Sequence, residues 1–451
     1  MIILKKRRNT KMKKVLYVLF GLLLSCVIGN TASAEKFDIN GDGKTGVHEA
    51  IYALKTAAGY EPSVEEQVQQ FLDDTCKQYG LPGISMAIIK ENQEVVYFLS
   101  GESDKINETK MTPKDQFRIG SITKTFTGMT IMQLAQEGKL FLTQTVEYWL
   151  PGVVPTPPEP EPSNYTGYNA NNITIRHLLT HTSGLENFTN DDNFLDNYYY
   201  HLDQTYTPHE LIAVAVSHDP ISQPDEQVWY YSNTNYVLLG MIIEQATAHT
   251  WEDEIRSRFV NVLGLTDTFI PETGQTNFFG EFAHGYMDLE ERFPPHEASG
   301  ILTEFSFREP SQVDSSGNMI STPDNLARWI KAIAEGELLN EHYQDLLLND
   351  KTEINAVIKM GLGVVHDTYN GFMQHPGQIT GYDCGAFYHM DLHVSFGICT
   401  NRTILQGAKI HQLVLYDIMN ILYPPEKETP AKKARRFIEP NGTPGGRLTE
   451  Y

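Results

Sequence analysis

The sequence predicts an α+β domain, because strand patterns stand at both ends of its main segment and helix patterns fill the interval. Residues 83–90 and 94–100 are rich in apolar residues and flank a turn at 91–92, which predicts a hairpin. Residues 379–388 and 393–400 predict two late strands. We expect the strands from both ends to join in one sheet that the intervening helices cover.

Capping residues mark where several of these helices begin. Ser63 precedes the first helix, and Glu66, three residues later, completes a capping box. Residues 122–137 carry apolar side chains at helical spacing. Two later helices each open with a threonine cap followed by proline at the first helical position, at Thr207 and Thr322.

The amino terminus, residues 1–34, has the layout of a secretory signal peptide. A basic stretch precedes an apolar run at 15–28, and small residues at 32–34 supply a cleavage site. Two alternatives stay open, an uncleaved anchor and a lipoprotein cleavage that leaves Cys26 lipidated. We expect export to the periplasm or the extracellular side, with no transmembrane span once the signal is removed.

The remaining chain divides into three parts. Residues 35–60 form a small module, residues 61–425 form the main domain, and residues 426–451 form a tail rich in Pro, Lys and Arg that is predicted to be disordered. Within the main domain, a stretch rich in Pro, Asn and Tyr at 151–172 predicts a loop insertion.

The small module matches the spacing of a single calcium loop of the EF-hand or dockerin type. Its predicted Ca²⁺ ligands are four side chains and one backbone carbonyl, in the order Asp38, Asn40, Asp42, Lys44 (carbonyl) and Glu49. Gly43 occupies the sharp turn, and Thr45 departs from the aliphatic residue that such loops favour. The alternative is a linker rich in Asp and Gly.

Calcium binding by this module predicts a measurable change in stability. Adding Ca²⁺ to the full chain should raise the melting temperature, because a ligand that binds only the folded module stabilises it. Asp42→Ala should remove that shift in a thermal melt. An identical melting curve with and without Ca²⁺ in both proteins would favour the linker.

The charge of the chain excludes some classes of partner. Asp and Glu outnumber Lys and Arg by 57 to 35, which gives a formal net charge of −22. A surface this acidic repels nucleic acid and anionic lipid. We therefore expect a small-molecule substrate and no nucleic-acid partner.

Three cysteines follow residue 34, namely Cys76, Cys384 and Cys399. Cys384 and Cys399 flank a predicted hairpin, so they are expected to face each other. A disulfide is permitted outside the cytoplasm, and two buried free thiols are an equal alternative.

The first catalytic candidate is the first motif, Ser121-x-x-Lys124, at the start of the helix predicted for 122–137. A serine hydroxyl needs a neighbouring base before it attacks a carbonyl. Residues three apart share a helix face, so Lys124 is expected beside Ser121, and an apolar pocket would let it lose its proton. A second match, beginning at Ser33, straddles the predicted cleavage site and is set aside.

The second motif is Tyr231-Ser232-Asn233. A tyrosine near a lysine is expected to have a lowered pKa and to carry a proton from the serine to the leaving group. Asn233 is expected to bond Lys124 or a substrate amide. The alternative is a plain turn before a helix.

The third motif is His375-Pro376-Gly377. A small residue such as Gly377 on an edge strand lets a substrate backbone approach closely. The backbone N–H groups of Gln378 and Ser121 are then expected to form an oxyanion hole.

Together these motifs resemble the serine β-lactamase and penicillin-binding-protein family, in the class C branch whose second motif begins with Tyr. The resemblance rests on four segments, which are 117–124 (FRIGSITK), 175–185 (IRHLLTHTSGL), 231–236 (YSNTNY) and 317–322 (GNMIST). It covers residues 64–423. It implies an α/β/α sandwich with a mostly helical subdomain, an active site between them, and a covalent acyl-enzyme on Ser121 with no metal or other cofactor in catalysis.

One departure bears on the substrate. His375 stands where class C β-lactamases carry Lys, which is similar to D-alanyl-D-alanine carboxypeptidases and D-amino-acid peptidases or esterases. A neutral His anchors a carboxylate weakly, and Pro376 removes one substrate hydrogen bond. The predicted function is D-alanyl-D-alanine carboxypeptidase-like hydrolysis of D-amino-acid peptides, cell-wall peptides among them. The alternatives are an esterase or weak β-lactamase, and an inactive binding or scaffold protein.

Overall fold

A nine-stranded antiparallel sheet runs through the protein in the computed structural model. The structure describes residues 60–424 except for gaps at 91–92, 159–165, 293–298 and 406–408. Residues from Gln69 onward form one compact unit. The predicted signal peptide, the predicted calcium loop and the predicted tail lie outside the described residues.

The helices of the described chain are, in order, α1 (Val64–Tyr79), α2 (Thr123–Gln136), α3 (Val146–Trp149), α4 (Ile175–Leu179), α5 (Asp192–Tyr200), α6 (Pro208–Val216), α7 (Asn233–Thr247), α8 (Trp251–Ile255), α9 (Asn261–Leu263), α10 (Pro323–Ala334), α11 (Glu341–Asn349) and α12 (Ile410–Leu422). A 3₁₀ turn, Gly120–Ile122, directly precedes α2. Over the described residues, none of the helices is both long and apolar enough to cross a membrane.

The strands are β1 (Gly83–Lys90), β2 (Val96–Asp104), β3 (Thr109–Lys110), β4 (Phe117–Arg118), β5 (Tyr286–Met287), β6 (Thr303–Glu304), β7 (Ile320–Ser321), β8 (Thr352–Glu353), β9 (Ile358–Met360), β10 (Val365–Asp367), β11 (Phe372–Ile379), β12 (Tyr382–His389), β13 (Val394–Thr400) and β14 (Arg402–Thr403). The main sheet has the order β3-β2-β1-β13-β12-β11-β10-β9-β8.

The sheet joins both ends of the domain, as the sequence predicts. β1 lies between β2 and β13, with Ile84 opposite Thr400. The predicted hairpin is β1–β2, although β2 begins two residues later than expected and extends to Asp104. The strand predicted for 393–400 is confirmed as β13.

The strand predicted for 379–388 is wrong in one respect, because the structure divides it. β11 ends at Ile379 and β12 begins at Tyr382, directly opposite. Gly381 between them has a φ of +94°, a conformation that glycine adopts without a Cβ clash. Apolar residues on both sides conceal this two-residue turn in the sequence. The third motif therefore lies within β11, ahead of the turn.

Helices cover both faces of the sheet. A Cβ on Gly397 would lie 1.9 Å from Pro323 O at the start of α10, whereas a Cβ on Gly385 would lie 2.9 Å from His411 in α12. Gly385 is opposite Ile398, the neighbour of Gly397. Because successive side chains alternate between faces, α10 and α12 lie on opposite sides of the sheet. The implied α/β/α arrangement is confirmed.

The predicted caps are also confirmed. Ser63 Oγ accepts from the backbone N–H of Glu66 at 3.2 Å, and the Glu66 carboxylate accepts from the Ser63 backbone N–H at 3.0 Å. Thr207 and Thr322 likewise cap α6 and α10. The helix predicted for 122–137 is α2, which starts one residue later than expected because the 3₁₀ turn comes first.

Buried aromatic packing fixes α2 against α10. The rings of Phe126 and Trp329 stack with centroids 3.8 Å apart, and Trp329 Nε1 donates to Thr125 Oγ1 at 2.7 Å. Both rings are fully buried. Stacked aromatic pairs hold two elements in one relative position, so the helix that carries Lys124 has a fixed place in the domain.

Cys384 and Cys399 occupy directly opposite positions on β12 and β13, as predicted. Both are buried free thiols in this structure, as is Cys76. Burial raises the pKa of the Cys384 thiol well above its ordinary value, because the surroundings disfavour the charged thiolate.

Candidate active site

Ser121 lies in the middle of the 3₁₀ turn that leads into α2. Gly120 before it has a φ of +51°, and a Cβ there would lie 2.7 Å from the carbonyl oxygen of Gln378 in β11. Only glycine permits this approach of turn and strand. The serine therefore sits where the start of α2 meets the sheet.

Lys124 contacts the serine from the first turn of α2, as predicted. Its Nζ atom lies 3.0 Å from Ser121 Oγ, 2.6 Å from Asn233 Oδ1 and 2.8 Å from the backbone oxygen of Ser316. The predicted contact between Asn233 and Lys124 is thereby confirmed. The Ser316 carbonyl is an addition that the sequence did not reveal.

Burial determines the protonation state of Lys124. The side chain is fully buried, and burial lowers its pKa well below the ordinary 10.5 because the surroundings disfavour the charged form. A neutral amine has two N–H donors and one lone pair. Asn233 Oδ1 and Ser316 O accept the two N–H groups, which leaves the lone pair for the proton of Ser121.

Tyr231, the first residue of the second motif, also contacts Ser121 Oγ. Its hydroxyl donates to Ser121 Oγ at 2.7 Å, and Lys124 Nζ lies 4.9 Å from the centre of its ring. The expected lowering of the Tyr231 pKa is wrong. Burial raises it above its ordinary 10.0, because the buried surroundings disfavour the charged phenolate. Tyr231 is therefore a proton donor at neutral pH.

The loop after α4 holds the second motif in place. The Ser232 backbone N–H donates to His181 Nδ1 at 3.2 Å, and Ser232 Oγ donates to the Glu186 carbonyl at 3.0 Å. The Asn233 backbone N–H donates to Asn187 Oδ1 at 3.1 Å. The motif leads directly into α7, whose first residue is Asn233, and the loop after α4 holds it there.

The third motif occupies the edge position that the sequence predicts. β10 pairs with β11 only as far as Gln374, so in the described residues β11 pairs with β12 alone from His375 onward. A Cβ on Gly377 would lie 2.0 Å from Ile119 O. The backbone of β11 thus runs directly past the turn that carries Ser121.

The two predicted oxyanion donors are brought together. The backbone nitrogen of Gln378 lies 2.9 Å from the position of a Cβ on Gly120, the residue before Ser121. The backbone of Gln378 therefore lies beside the turn that carries Ser121.

His375, which was predicted to lie at the substrate site and to anchor a carboxylate only weakly, is buried. Its side chain is 1% exposed, and burial lowers its pKa to about 3, because the surroundings disfavour the charged imidazolium. Nδ1 lies 2.6 Å from the carbonyl oxygen of Pro376. A neutral, buried imidazole bonded to its own strand supplies no charge to a substrate carboxylate.

Two neighbours of the site were missed as functional candidates. Ser316 contributes a backbone carbonyl, for which side-chain chemistry gives no signal. His181 lies within the segment 175–185 that carries part of the family resemblance, but the sequence assigned it no role. Its ring packs against Tyr231 with centroids 4.5 Å apart. The conspicuous His181-Thr182-Ser183-Gly184 stretch was the available signal.

Comparison with known proteins agrees with this geometry. A family model described as Beta-lactamase matches residues 64–414. Protein flp of Staphylococcus aureus (strain N315) is 28% identical over 268 residues, 59% of this chain and 48% of the relative. Penicillin-binding protein 4* of Bacillus subtilis (strain 168) is 24% identical over 77% of this chain and 75% of its own length. The chain spans about half the length of the first of these relatives.

A solved structure is similar over most of the domain. The crystal structure of a D-stereospecific amidohydrolase from Streptomyces sp. has a TM-score of 0.68 and 28% sequence identity, and the match covers 81% of this chain and 100% of that one. The family match spans more than half of the chain and includes all three motifs. The chain therefore belongs to the β-lactamase/transpeptidase-like family of serine hydrolases.

Proposed function

We propose that the chain is an exported serine hydrolase that cleaves amide or peptide bonds after a D-amino-acid acyl group, through an acyl-enzyme on Ser121. One observation carries the proposal. Ser121 Oγ lies 3.0 Å from the amine of Lys124 and accepts a hydrogen bond from the Tyr231 hydroxyl at 2.7 Å. The nucleophile thus has a base and an acid in contact with one atom.

In the proposed acylation step, Ser121 Oγ attacks the substrate carbonyl and its proton passes to the neutral Lys124 amine. The resulting ammonium keeps its bonds to Asn233 Oδ1 and Ser316 O. The ring of Tyr231 below it adds a cation–π contact. The two acceptors and the ring of Tyr231 therefore stabilise the positive charge on Lys124 after it receives the proton.

Tyr231 is the proposed acid for the leaving group. Its raised pKa keeps the hydroxyl protonated, so it donates to the departing nitrogen as the C–N bond breaks. Lys124 then returns a proton to Tyr231, which leaves a neutral amine and an ester on Ser121. In deacylation a water molecule attacks the ester, its proton passes to Lys124, and Ser121 Oγ leaves with a proton from Tyr231. Lys124 then returns a proton to Tyr231, which restores the starting state.

Two backbone N–H groups are proposed to stabilise the negative charge that develops on the oxygen of the tetrahedral intermediate. The N–H of Ser121 points from the turn before α2, and the N–H of Gln378 comes from the free edge of β11. Preorganised backbone donors stabilise such an oxyanion without reorganising. The same edge would hold the substrate as an added strand.

Two observations favour D-amino-acid amides as substrates over β-lactams. The similar Streptomyces structure is that of a D-stereospecific amidohydrolase. His375 is buried and neutral, so it offers no cation to the carboxylate that β-lactams carry next to the ring. An amide or ester without a free carboxylate has no need of such an anchor.

One observation favours the carboxypeptidase alternative. Lys409 Nζ donates to the Gln378 side chain at 3.1 Å, which brings a cation to the strand that would bind substrate. A peptide carboxylate bound there would make Lys409→Ala raise KM for a D-Ala-D-Ala peptide while leaving KM for an uncharged amide unchanged.

A panel of four substrates tests the proposal on the purified chain. It consists of a D-amino-acid anilide, its L enantiomer, an aryl ester of a D-amino acid, and a chromogenic β-lactam. We expect the D-anilide to exceed the L-anilide in kcat/KM by on the order of 100-fold, and the β-lactam to be the slowest. Preference for the L-anilide would contradict the assigned substrate class. Absence of turnover across the panel would favour the inactive scaffold.

A further inference from the structure

Two buried imidazole nitrogens near Lys124 have no role in the steps above. Among the described residues, Nε2 of His181 and Nε2 of His375 are buried without a hydrogen-bond partner. Both side chains are at most 1% exposed. A buried polar atom left unpaired is unfavourable and calls for a reason.

The bonds of His181 fix its tautomer. Its Nδ1 accepts from the Ser232 backbone N–H at 3.2 Å and from Asn235 Nδ2 at 3.0 Å. The amide of Asn235 is oriented in turn, because Ser183 Oγ donates to its Oδ1 at 2.6 Å. Since both partners of Nδ1 are donors, the proton of the neutral ring sits on Nε2.

The bonds of His375 fix the opposite tautomer. Its Nδ1 lies 2.6 Å from the carbonyl oxygen of Pro376, which only accepts, so Nδ1 carries the proton. Nε2 of His375 is therefore a lone pair, whereas Nε2 of His181 is an N–H donor. The hydrogen bonds at Nδ1 of the two rings therefore leave one unpaired donor, at His181 Nε2, and one unpaired acceptor, at His375 Nε2.

Both rings border the same buried centre. The ring of His181 lies 4.5 Å from that of Tyr231 and 5.2 Å from that of Tyr236, the two rings below Lys124 Nζ. His375 shares a sheet face with Gly377, whose Cβ would meet Ile119 before the catalytic turn. Burial lowers the pKa of both imidazoles, because the surroundings disfavour the charged form.

The backbone of His181 is held in an uncommon conformation. Its φ is +57°, in the left-handed region that few residues other than glycine occupy. Such conformations persist where the surroundings enforce them, and they concentrate at functional sites. In this position the His181 ring packs against the Tyr231 ring with 35° between the ring planes.

We propose that His181 is a positioning residue for the reaction, acting with His375 as a pair of neutral imidazoles in opposite tautomers. His181 holds the Tyr231 ring so that its hydroxyl stays on Ser121 Oγ. Because both rings are locked neutral, neither competes with Lys124 for the serine proton. This inference rests on the proposed function, since it assigns a role within that reaction.

His181→Asn separates this role from a structural one. Asparagine tolerates a positive φ, and its side-chain oxygen replaces Nδ1 as the acceptor from Ser232 N–H, whereas the ring and the Nε2–H are lost. We expect kcat to fall by on the order of 100-fold with KM nearly unchanged. The rate of Ser121 labelling by an acylating probe should fall in parallel.

His366→Asn is the matched control. His366 is also buried with an unpaired Nε2, but it lies on β10 opposite Met373, outside the catalytic groups. We expect it to retain kcat within about twofold. If His181→Asn melts like this control and keeps full activity, His181 is only structural and the positioning role is wrong.

Imidazole ¹⁵N NMR on the ¹⁵N-histidine-labelled protein tests the pair directly, even if His181→Asn fails to fold. The groups facing the two rings are Lys124, Tyr231 and Tyr236, with His411 also near His375. We expect an Nε2–H tautomer for His181, an Nδ1–H tautomer for His375, and neither ring protonated at about pH 5. If the two rings had the same tautomer, or if either ring were protonated at that pH, the proposed pair of neutral imidazoles in opposite tautomers would be wrong. Because this readout needs no substrate, it stands apart from failure of the proposed hydrolysis.

Discussion

Ser121→Ala is expected to lower kcat/KM on the best substrate by at least about 10⁴-fold. Without Oγ no ester forms, and Lys124 and Tyr231 lose the atom that both contact. The fold should be kept, because the serine lies in a short turn before α2 and alanine fits the same backbone. The measurement is steady-state kinetics with a melting curve alongside.

Ser217→Ala is the control for this substitution. Ser217 is an exposed residue at the end of α6, and its replacement should leave kcat/KM unchanged. Ser121→Ala that keeps more than about a tenth of the wild-type rate would remove the serine from the mechanism.

Lys124→Met is expected to lower kcat by on the order of 10³-fold. Methionine keeps the length of the side chain but removes the amine that receives the serine proton. Ser121 and its backbone remain, so substrate binding should change little. Lys139→Met, at a half-exposed lysine just after α2, is the control and should retain activity.

The pH dependence gives Lys124→Met a second signature. The wild-type rate should rise with pH as Lys124 loses its proton, with a midpoint below the ordinary 10.5 because burial depresses the pKa. This acid limb should vanish in the variant. The raised pKa of Tyr231 predicts no alkaline limb from that residue below about pH 10.

The free energy of unfolding should also depend on pH through Lys124. Between the depressed pKa of Lys124 and 10.5, the unfolded chain binds more protons than the folded one, so the free energy of unfolding rises with pH. Burying this amine is therefore most unfavourable at low pH. The stability of Lys124→Met relative to wild type should increase as pH falls, and a pH-independent difference would show that Lys124 is charged in the folded protein.

The contact between Ser121 and Lys124 was predictable from sequence because local geometry alone relates the two residues. Residues three apart share one face of a helical turn, so Lys124 lies beside Ser121 independently of the rest of the fold. Asn233 was predicted to bond either Lys124 or a substrate amide, and only the fold decides between them, since 109 residues separate Asn233 from Lys124. The edge position of β11 was predicted from the small residue Gly377.

The protonation states were not predictable from sequence. Burial raises the pKa of Tyr231 and lowers that of Lys124, and how completely each side chain is buried depends on contacts between segments far apart in the sequence. His375 was assigned to substrate binding because its motif faces the site. The structure instead turns its ring into the interior, where it bonds Pro376.

The turn between β11 and β12 shows the same limit for the fold. Thr380-Gly381 is flanked by Ile379 and Tyr382, which favour strands, so local propensity predicts a continuous strand. Only pairing across the hairpin, with Ile379 opposite Tyr382, reveals where the chain reverses. Contacts between distant segments therefore decide where the strand ends. Such contacts also decide the tautomer of His181, through the hydrogen bonds that Ser232 and Asn235 donate to its Nδ1.

The covalent step on Ser121 is the central claim, and trapping the intermediate tests it most directly. The wild-type chain is mixed with a slowly turned-over acylating substrate, quenched in acid, and measured by intact mass and peptide mapping. We predict one added acyl group on the peptide that contains Ser121, and none on Ser121→Ala. A label of equal yield on Ser121→Ala, or turnover with no trapped acyl group on any peptide, would contradict the account.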